Sequence, residues 1–240
     1  MKDDSSPDSK EDIAIDQEDD NSVTEDDPSS LSQEKTSRFV SSGEHLDFNF
    51  EAYEEKIVIV GASGSGKTYL ANTIMKSLNG VSVWVYDPNY QFHSSRAIVF
   101  HDLVYDSAKR GHYILQPQDG TEHTFRRFNE EAFKRGNLVL IEDEIHNHLS
   151  KQKILKEFNQ VILSGRPRGI SVISISSRPA SCPNHILSNV KHVFAFKLNL
   201  ESDIKFLEGY LGSDVWILMP RDKRQKLKEE AELPEHTFFY

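Results

Sequence analysis

Gly61-Ala62-Ser63-Gly64-Ser65-Gly66-Lys67-Thr68 reads G-x-x-x-x-G-K-T, the spacing of a phosphate-binding loop. Its glycines permit a tight turn in which successive N–H groups and the start of the next helix point at one anion. In such a loop Lys67 reaches the outer phosphates of a nucleotide and Thr68 offers its hydroxyl to Mg²⁺. A second cluster with chemical potential, Glu142-Asp143-Glu144, follows the apolar run Leu138-Val139-Leu140-Ile141. Carboxylates at a strand end beside a phosphate loop can hold a metal ion and position a water. Asp143 is therefore assigned to Mg²⁺, through a water, and Glu144 to orienting or deprotonating an attacking water. Strand alternation places Glu142 and Glu144 on the same face, which keeps Glu142 with Asp143 as the alternative pair.

The elements that must position these residues are legible in the apolar pattern. Lys56-Ile57-Val58-Ile59-Val60 is a short β-branched run, expected of a buried parallel strand leading into the loop. Beyond the loop, Leu70, Ala71, Ile74, Met75 and Leu78 recur on one helical face, and Asn79-Gly80 supplies a stop. Val81–Tyr86 reads as the next strand, ending in the turn sequence Asp87-Pro88-Asn89. Ala97–Phe100 and His112–Leu115 follow as short strands, then a helix over Thr121–Arg135 closed by Gly136. The strand Leu138–Ile141 leads into the carboxylates. A helix is predicted over Lys151–Leu163 from the stripe Ile154, Leu155, Phe158, Val161 and Ile162, and Gly165–Gly169 breaks it. Ile170–Ile175 and Val190–Phe196 are the remaining strands, with a last helix near Asp203–Leu211. Strands alternating with helices imply one α/β domain with a mostly parallel central sheet flanked by helices.

The chain has 240 residues and a formal charge of −10, and all of that charge resides in the first 36 residues, where 13 Asp and Glu stand against three Lys. Such a segment, poor in apolar residues, cannot offset the entropy of ordering its backbone. Residues 1–45 are accordingly expected to be a disordered acidic tail, read as solvating rather than as a mimic of nucleic acid, and residues 46–240 the folded domain. No apolar run approaches the roughly 18 residues needed to cross a bilayer, so no membrane segment is expected. Cys182 is the sole cysteine, which excludes an intrachain disulfide and suits a reducing compartment. It lies beside Pro183 with no activating base in sight and is not assigned a catalytic role. His146-Asn147-His148 lacks third and fourth ligands nearby and is placed in the loop after the acidic strand rather than in a metal or nuclease site. Arg126, Arg127, Lys134, Arg135, Lys151, Lys153 and the run from Arg221 to Lys228 could grip a phosphate backbone, though each cluster alone reads as solvated surface.

The order G-A-S-G-S-G-K-T, V-Y-D-P-N-Y, L-V-L-I-E-D-E-I-H-N and S-G-R-P-R-G-I-S-V-I-S-I-S-S-R-P-A resembles the HerA/FtsK superfamily of DNA-translocating ATPases. Within it the chain is most similar to the genome-packaging ATPases of membrane-containing icosahedral viruses. The resemblance spans about residues 55 to 200, and its last segment discriminates more than the phosphate loop does. It implies a RecA-like (ASCE) P-loop NTPase fold, ATP and Mg²⁺ as ligands, and double-stranded DNA as the partner moved. It further implies a homo-oligomeric ring, a hexamer or pentamer, acting in the host cytoplasm or the virion with a capsid or membrane protein at the packaging vertex.

Residue by residue, Lys67 and Thr68 fall at the Walker A positions, Asp143 and Glu144 at the Walker B pair, and Asp87 at an acidic position after the second strand. Arg166 falls where the superfamily tends to carry an arginine acting on a neighbouring subunit's nucleotide, with Arg168 and Arg178 as alternatives. Where the family commonly has Thr-Gln before Arg-Pro, this chain has Ser176-Ser177 before Arg178-Pro179. A serine hydroxyl reaches less far than an amide, so γ-phosphate sensing is shared between Ser177 and Ser176 as equal candidates. A cellular HerA-like or conjugation-type motor, and a P-loop assembly ATPase acting on protein, are the competing expectations.

Overall fold

In a computed structural model, residues 39–40, 50, 52–53, 55–102, 111–220 and 238–239 are described. Of the predicted acidic tail, residues 1–38 and 41–45 lie outside the described residues, as do Phe48 and the basic run 221–228. Nine strands occur there in chain order: Phe39–Val40 (β1), Lys56–Val60 (β2), Val83–Tyr86 (β3), Ala97–Phe100 (β4), His112–Leu115 (β5), Leu138–Glu142 (β6), Ile170–Ser176 (β7), His192–Phe196 (β8) and Phe238–Phe239 (β9). They form one sheet in the order β1-β9-β8-β2-β7-β6-β3-β5-β4. The seven strands from β8 to β4 are parallel, while β9 pairs antiparallel with β8 and β1 antiparallel with β9. The strand that leads into the phosphate loop, β2, and the strand that carries the acidic cluster, β6, are therefore not neighbours. β7 lies between them, so three strand ends share the carboxyl edge where ligands bind in open α/β sheets.

The apolar runs are continuous because both faces are covered. Ile57, Ile59, Val83, Val85, Val139 and Ile141 pack with Ala71, Ile74 and Met75 of the helix Lys67–Ser77 (α1). Val58, Val60, Trp84, Tyr86, Leu138 and Leu140 face the other way. There they meet Phe125, Phe128 and Ala132 of the helix Glu122–Arg135 (α2) and Phe158, Val161 and Ile162 of the helix Lys156–Ser164 (α3). A short helix, Asn184–Ser188 (α4), and Glu201–Leu211 (α5) add Ile186, Ile204 and Leu207 to the same layer. Strand periodicity thus assigns each β6 residue to one helix layer or the other, and a one-residue slip would exchange them.

One predicted helix is shorter than its apolar stripe implies. α3 begins at Lys156, not Lys151, and Ile154 is exposed. Ser150 and Lys153 exchange backbone hydrogen bonds in both directions at 3.0 and 3.1 Å, and Ser150 Oγ also accepts the Lys153 N–H. That closed turn uses the Ser150 and Lys153 carbonyls that a helix from Lys151 would need as acceptors, and Leu155 stands at the cap of α3, buried. Several basic residues are also engaged: Arg126 and Lys153 both pair with Glu122, and Lys134 pairs with Glu130 and Glu131.

His148 belongs to the core rather than to a metal site. Its ring stacks on Phe125 at 4.4 Å and meets Tyr86 edge-on at 5.4 Å. Burial pushes its imidazole pKa from 6.5 down to about 4. Protons therefore prefer the unfolded chain, so the stabilisation by the neutral ring is complete above pH 6.5 and is lost as pH falls toward 4. Thermal unfolding of His148→Phe is expected to lose less stability between pH 6.5 and 4 than the unaltered chain does. Parallel pH profiles of the two proteins would refute this assignment.

Candidate active site

The phosphate loop is built by close approach and by glycine. A Cβ on Gly61 would stand 2.6 Å from both Phe196 Cβ and Ser65 Oγ, nearer than real contacts allow. Gly64 and Gly66 have φ of +76° and +108°, in the region that side chains disfavour. The loop is tied to both neighbouring strands, with the Gly61 N–H donating to Ser176 O at 3.3 Å and the Ala62 N–H to Lys197 O at 2.7 Å. Lys67 is buried, and its ammonium donates to Ala62 O across the loop at 3.0 Å. Burial lowers its pKa, opposed by the carboxylates of Glu144 and Asp143. Those three side chains therefore share one electrostatic environment.

β6 ends at Glu142, and the acidic trio does not continue its alternation. Glu142 points with Leu138 and Leu140 toward α2, where Asn129 Nδ2 donates to its Oε1 at 2.7 Å. Burial pushes its pKa up to about 8, against the Asn129 hydrogen bond. Asp143 leaves the strand on the other side. Burial, with Glu144 and Asp87 nearby, pushes its pKa up to about 7.

Glu144 has φ 51° and ψ 46°, a left-handed conformation that costs a non-glycine residue about 1 kcal/mol or more. That turn carries its carboxylate away from Glu142 and onto the end of β7. Ser177 Oγ donates to Glu144 Oε2 at 2.6 Å, the Ser177 N–H donates at 3.2 Å, and His146 Nδ1 lies 3.1 Å from the same oxygen. Burial pushes the Glu144 pKa up, but the hydrogen bonds from His146 and Ser177 outweigh it and bring it down to about 2. The expectation that Glu142 and Glu144 share a face is thus corrected, because the strand ends before Glu144 and its backbone reverses.

The two serines are not equivalent. Ser177 touches Glu144 directly, whereas Ser176 Oγ lies 3.3 Å from His146 Nδ1 and accepts the Arg178 N–H at 3.1 Å and the Cys182 thiol at 3.4 Å. Cys182 itself is buried, and burial pushes its thiol up to about 11, which suits an inert thiol.

The three arginines are scattered. Arg166 is exposed in the turn before β7, at the amino edge of the sheet. The seven residues of β7 put it about 20 Å from the loop edge. Arg168 stacks on Phe133 at 4.8 Å and donates to the Phe133 and Lys134 carbonyls at the end of α2. Arg178 lies beside the serines, with Nε 3.3 Å from Asp203.

His146 escaped the sequence reading because its role depends on the reversal at Glu144, which no local pattern announces. Gln91 also escaped it; its Oε1 accepts the Thr68 hydroxyl at 3.1 Å from across a turn. The residues present fit a nucleotide and its metal ion. Ser65 Oγ and Asp143 Oδ2 are buried polar atoms without a protein partner at the loop and the acidic strand end. The loop amides and Lys67 would hold phosphates, and Thr68 and Asp143 the cation.

The model of the AAA domain family matches residues 52–176, just over half of the chain, from before β2 to the end of β7. The chain belongs to the AAA domain family. No curated protein sequence matches it. Among solved structures, this AAA domain resembles the genome packaging NTPase B204 from Sulfolobus turreted icosahedral virus 2. The complex with AMP matches at 18% identity and TM-score 0.59, over 79% of this chain and 94% of that one. The complex with ATP-gammaS matches at 19% identity and TM-score 0.55, over 75% and 90%. The DNA-packaging ATPase B204 from Sulfolobus Turreted Icosahedral Virus matches at 19% identity and TM-score 0.55, over 72% and 88%. At such identities the likeness is one of fold, and the fold is the RecA-like P-loop NTPase fold. This AAA domain is a P-loop ATPase that binds nucleotide. Among the described residues no helix is long and apolar enough to cross a membrane.

Proposed function

We propose that this chain is an ATP-hydrolysing DNA translocase of the HerA/FtsK type, working as a homo-oligomeric ring that packages a viral genome. The observation that carries the hydrolytic part is the carboxylate of Glu144, fixed by Ser177 and His146 at the end of β7. Glu144 orients or deprotonates the water that attacks the terminal phosphorus as the bond from that phosphorus to the leaving diphosphate oxygen breaks, and Ser177 aligns that carboxylate rather than reading the phosphate alone. Thr68, and Asp143 through a water, would hold Mg²⁺, which when bound would supply positive charge against the outer phosphates. Arg166, exposed on the opposite sheet edge, serves the nucleotide of a neighbouring subunit, so a lone monomer binds ATP and turns it over poorly. The DNA part is supported by the motif order and by the likeness of fold to a protein named for DNA packaging. In this reading the DNA is gripped by its phosphates without base readout, and the protein acts in the host cytoplasm or the virion.

ATP turnover measured with and without linear duplex DNA tests the proposal. Severalfold stimulation that fades as salt rises is the expected result. Equal rates at every salt concentration, from a protein that stays monomeric, would overturn it. A second reading, an ATPase that assembles protein, is favoured by the pairing of Arg126, Lys134 and Lys153 with acidic neighbours, which leaves less positive charge for DNA.

A further inference from the structure

Gln91 approaches the phosphate loop from a turn that the loop motif does not include. Asp87 anchors that turn. Fully buried, it accepts the Gln91 N–H on Oδ1 at 2.9 Å and the Phe92 N–H on Oδ2 at 3.0 Å, and Gln116 Nε2 donates to Oδ2 at 2.9 Å. Both carboxylate oxygens are engaged, by the turn amides and by Gln116, which makes Asp87 a structural anchor. Between Asp87 and Gln91 the backbone passes through Tyr90 at φ +57°, a conformation that is costly for a bulky residue. Tyr90 is held there by its hydroxyl, which donates to Pro117 O at 3.3 Å, and by stacking on His101.

This twist lays Gln91 against the first turns of α1. Its carbonyl accepts Asn72 Nδ2 at 3.2 Å, Asn72 Oδ1 accepts the His93 N–H at 3.3 Å, and Gln91 Oε1 accepts the Thr68 hydroxyl at 3.1 Å. A threonine hydroxyl has one proton and two lone pairs. With the proton given to Gln91, the lone pairs remain for a cation. Asp143 complements this, since its Oδ1 accepts the Glu144 N–H and its Oδ2 has no partner.

We propose that Gln91 is a positioning residue of the nucleotide site, accepting the Thr68 proton and so aiming the Thr68 oxygen at the cation that accompanies the phosphates. The proposal rests on the reading of Thr68 as a ligand of nucleotide-bound Mg²⁺. An acceptor behind a metal ligand fixes its orientation and raises its basicity, and losing one typically costs 10–100-fold in metal affinity.

Calorimetric titration of ATP into the full chain, once in Mg²⁺ and once in EDTA, provides the test. In Gln91→Leu the affinity gained from Mg²⁺ is expected to fall by roughly tenfold or more while affinity in EDTA stays unchanged. Gln91→Glu retains an acceptor at the same reach and is expected to keep the gain. If the unaltered chain gains nothing from Mg²⁺, the ligand reading of Thr68 fails and the assignment falls with it. If the unaltered chain gains and Gln91→Leu gains equally, the assignment alone is overturned. Weaker binding by Gln91→Leu in EDTA as well would also overturn it, by showing general damage to the loop.

Discussion

Glu144→Gln is expected to bind ATP and to hydrolyse it 10²–10⁴-fold more slowly, roughly the range that a positioned general base contributes. The amide has the size of the carboxylate and its oxygen can still accept from Ser177, so the loop and β7 should keep their geometry. What it cannot do is accept a proton. Glu142→Gln is the matched control, because Glu142 faces α2 and its partner is Asn129 rather than the loop. The amide can still accept from Asn129, and turnover should stay within about twofold, the small effect expected of a residue that never touches the reacting atoms. Single-turnover rates and ATP affinities of the two variants decide which pair acts. A dead Glu142→Gln beside an active Glu144→Gln would reverse the assignment.

Lys67→Ala is expected to lose ATP affinity by roughly 10–150-fold, the equivalent of about 1.5–3 kcal/mol for a hydrogen bond to a charged group. Lys67 is 5% exposed, so its ammonium works largely shielded from water. It also spans the loop to Ala62 O, and the truncation removes that tie as well. A thermal-shift titration reads the result directly: the ATP concentration needed to raise the unfolding temperature should be roughly 10–150-fold higher for Lys67→Ala than for the unaltered chain. Coincident titrations of the two proteins would exclude Lys67 as a phosphate contact.

Local pattern made much of this protein legible. The apolar runs of β2, β6 and β7 read as buried strands, and G-x-x-x-x-G-K-T between a strand and an amphipathic helix reads as a phosphate site. Helix ends were less legible. The stripe from Ile154 to Ile162 has helical spacing throughout, yet the Ser150–Lys153 turn takes the first five residues out of the helix. Periodicity reports which residues want burial, not which backbone groups are already used.

The sequence by itself determined the residue types of the site and the loop that binds phosphate, because those depend on neighbours in the chain. Only the tertiary structure decided how the carboxylates divide. Strand alternation alone would put Glu142 and Glu144 on one face, but the left-handed reversal at Glu144 leaves Glu142 against α2 and delivers Glu144 to Ser177 and His146. Likewise only the sheet order, which inserts β7 between β2 and β6, brings Ser177 to Glu144 and sends Arg166 to the far edge. The Asp87 turn in the same way brings Gln91 to Thr68, 23 residues away in the chain. Such contacts are set by long-range packing and by a single strained backbone angle, and neither leaves a periodic signature in sequence.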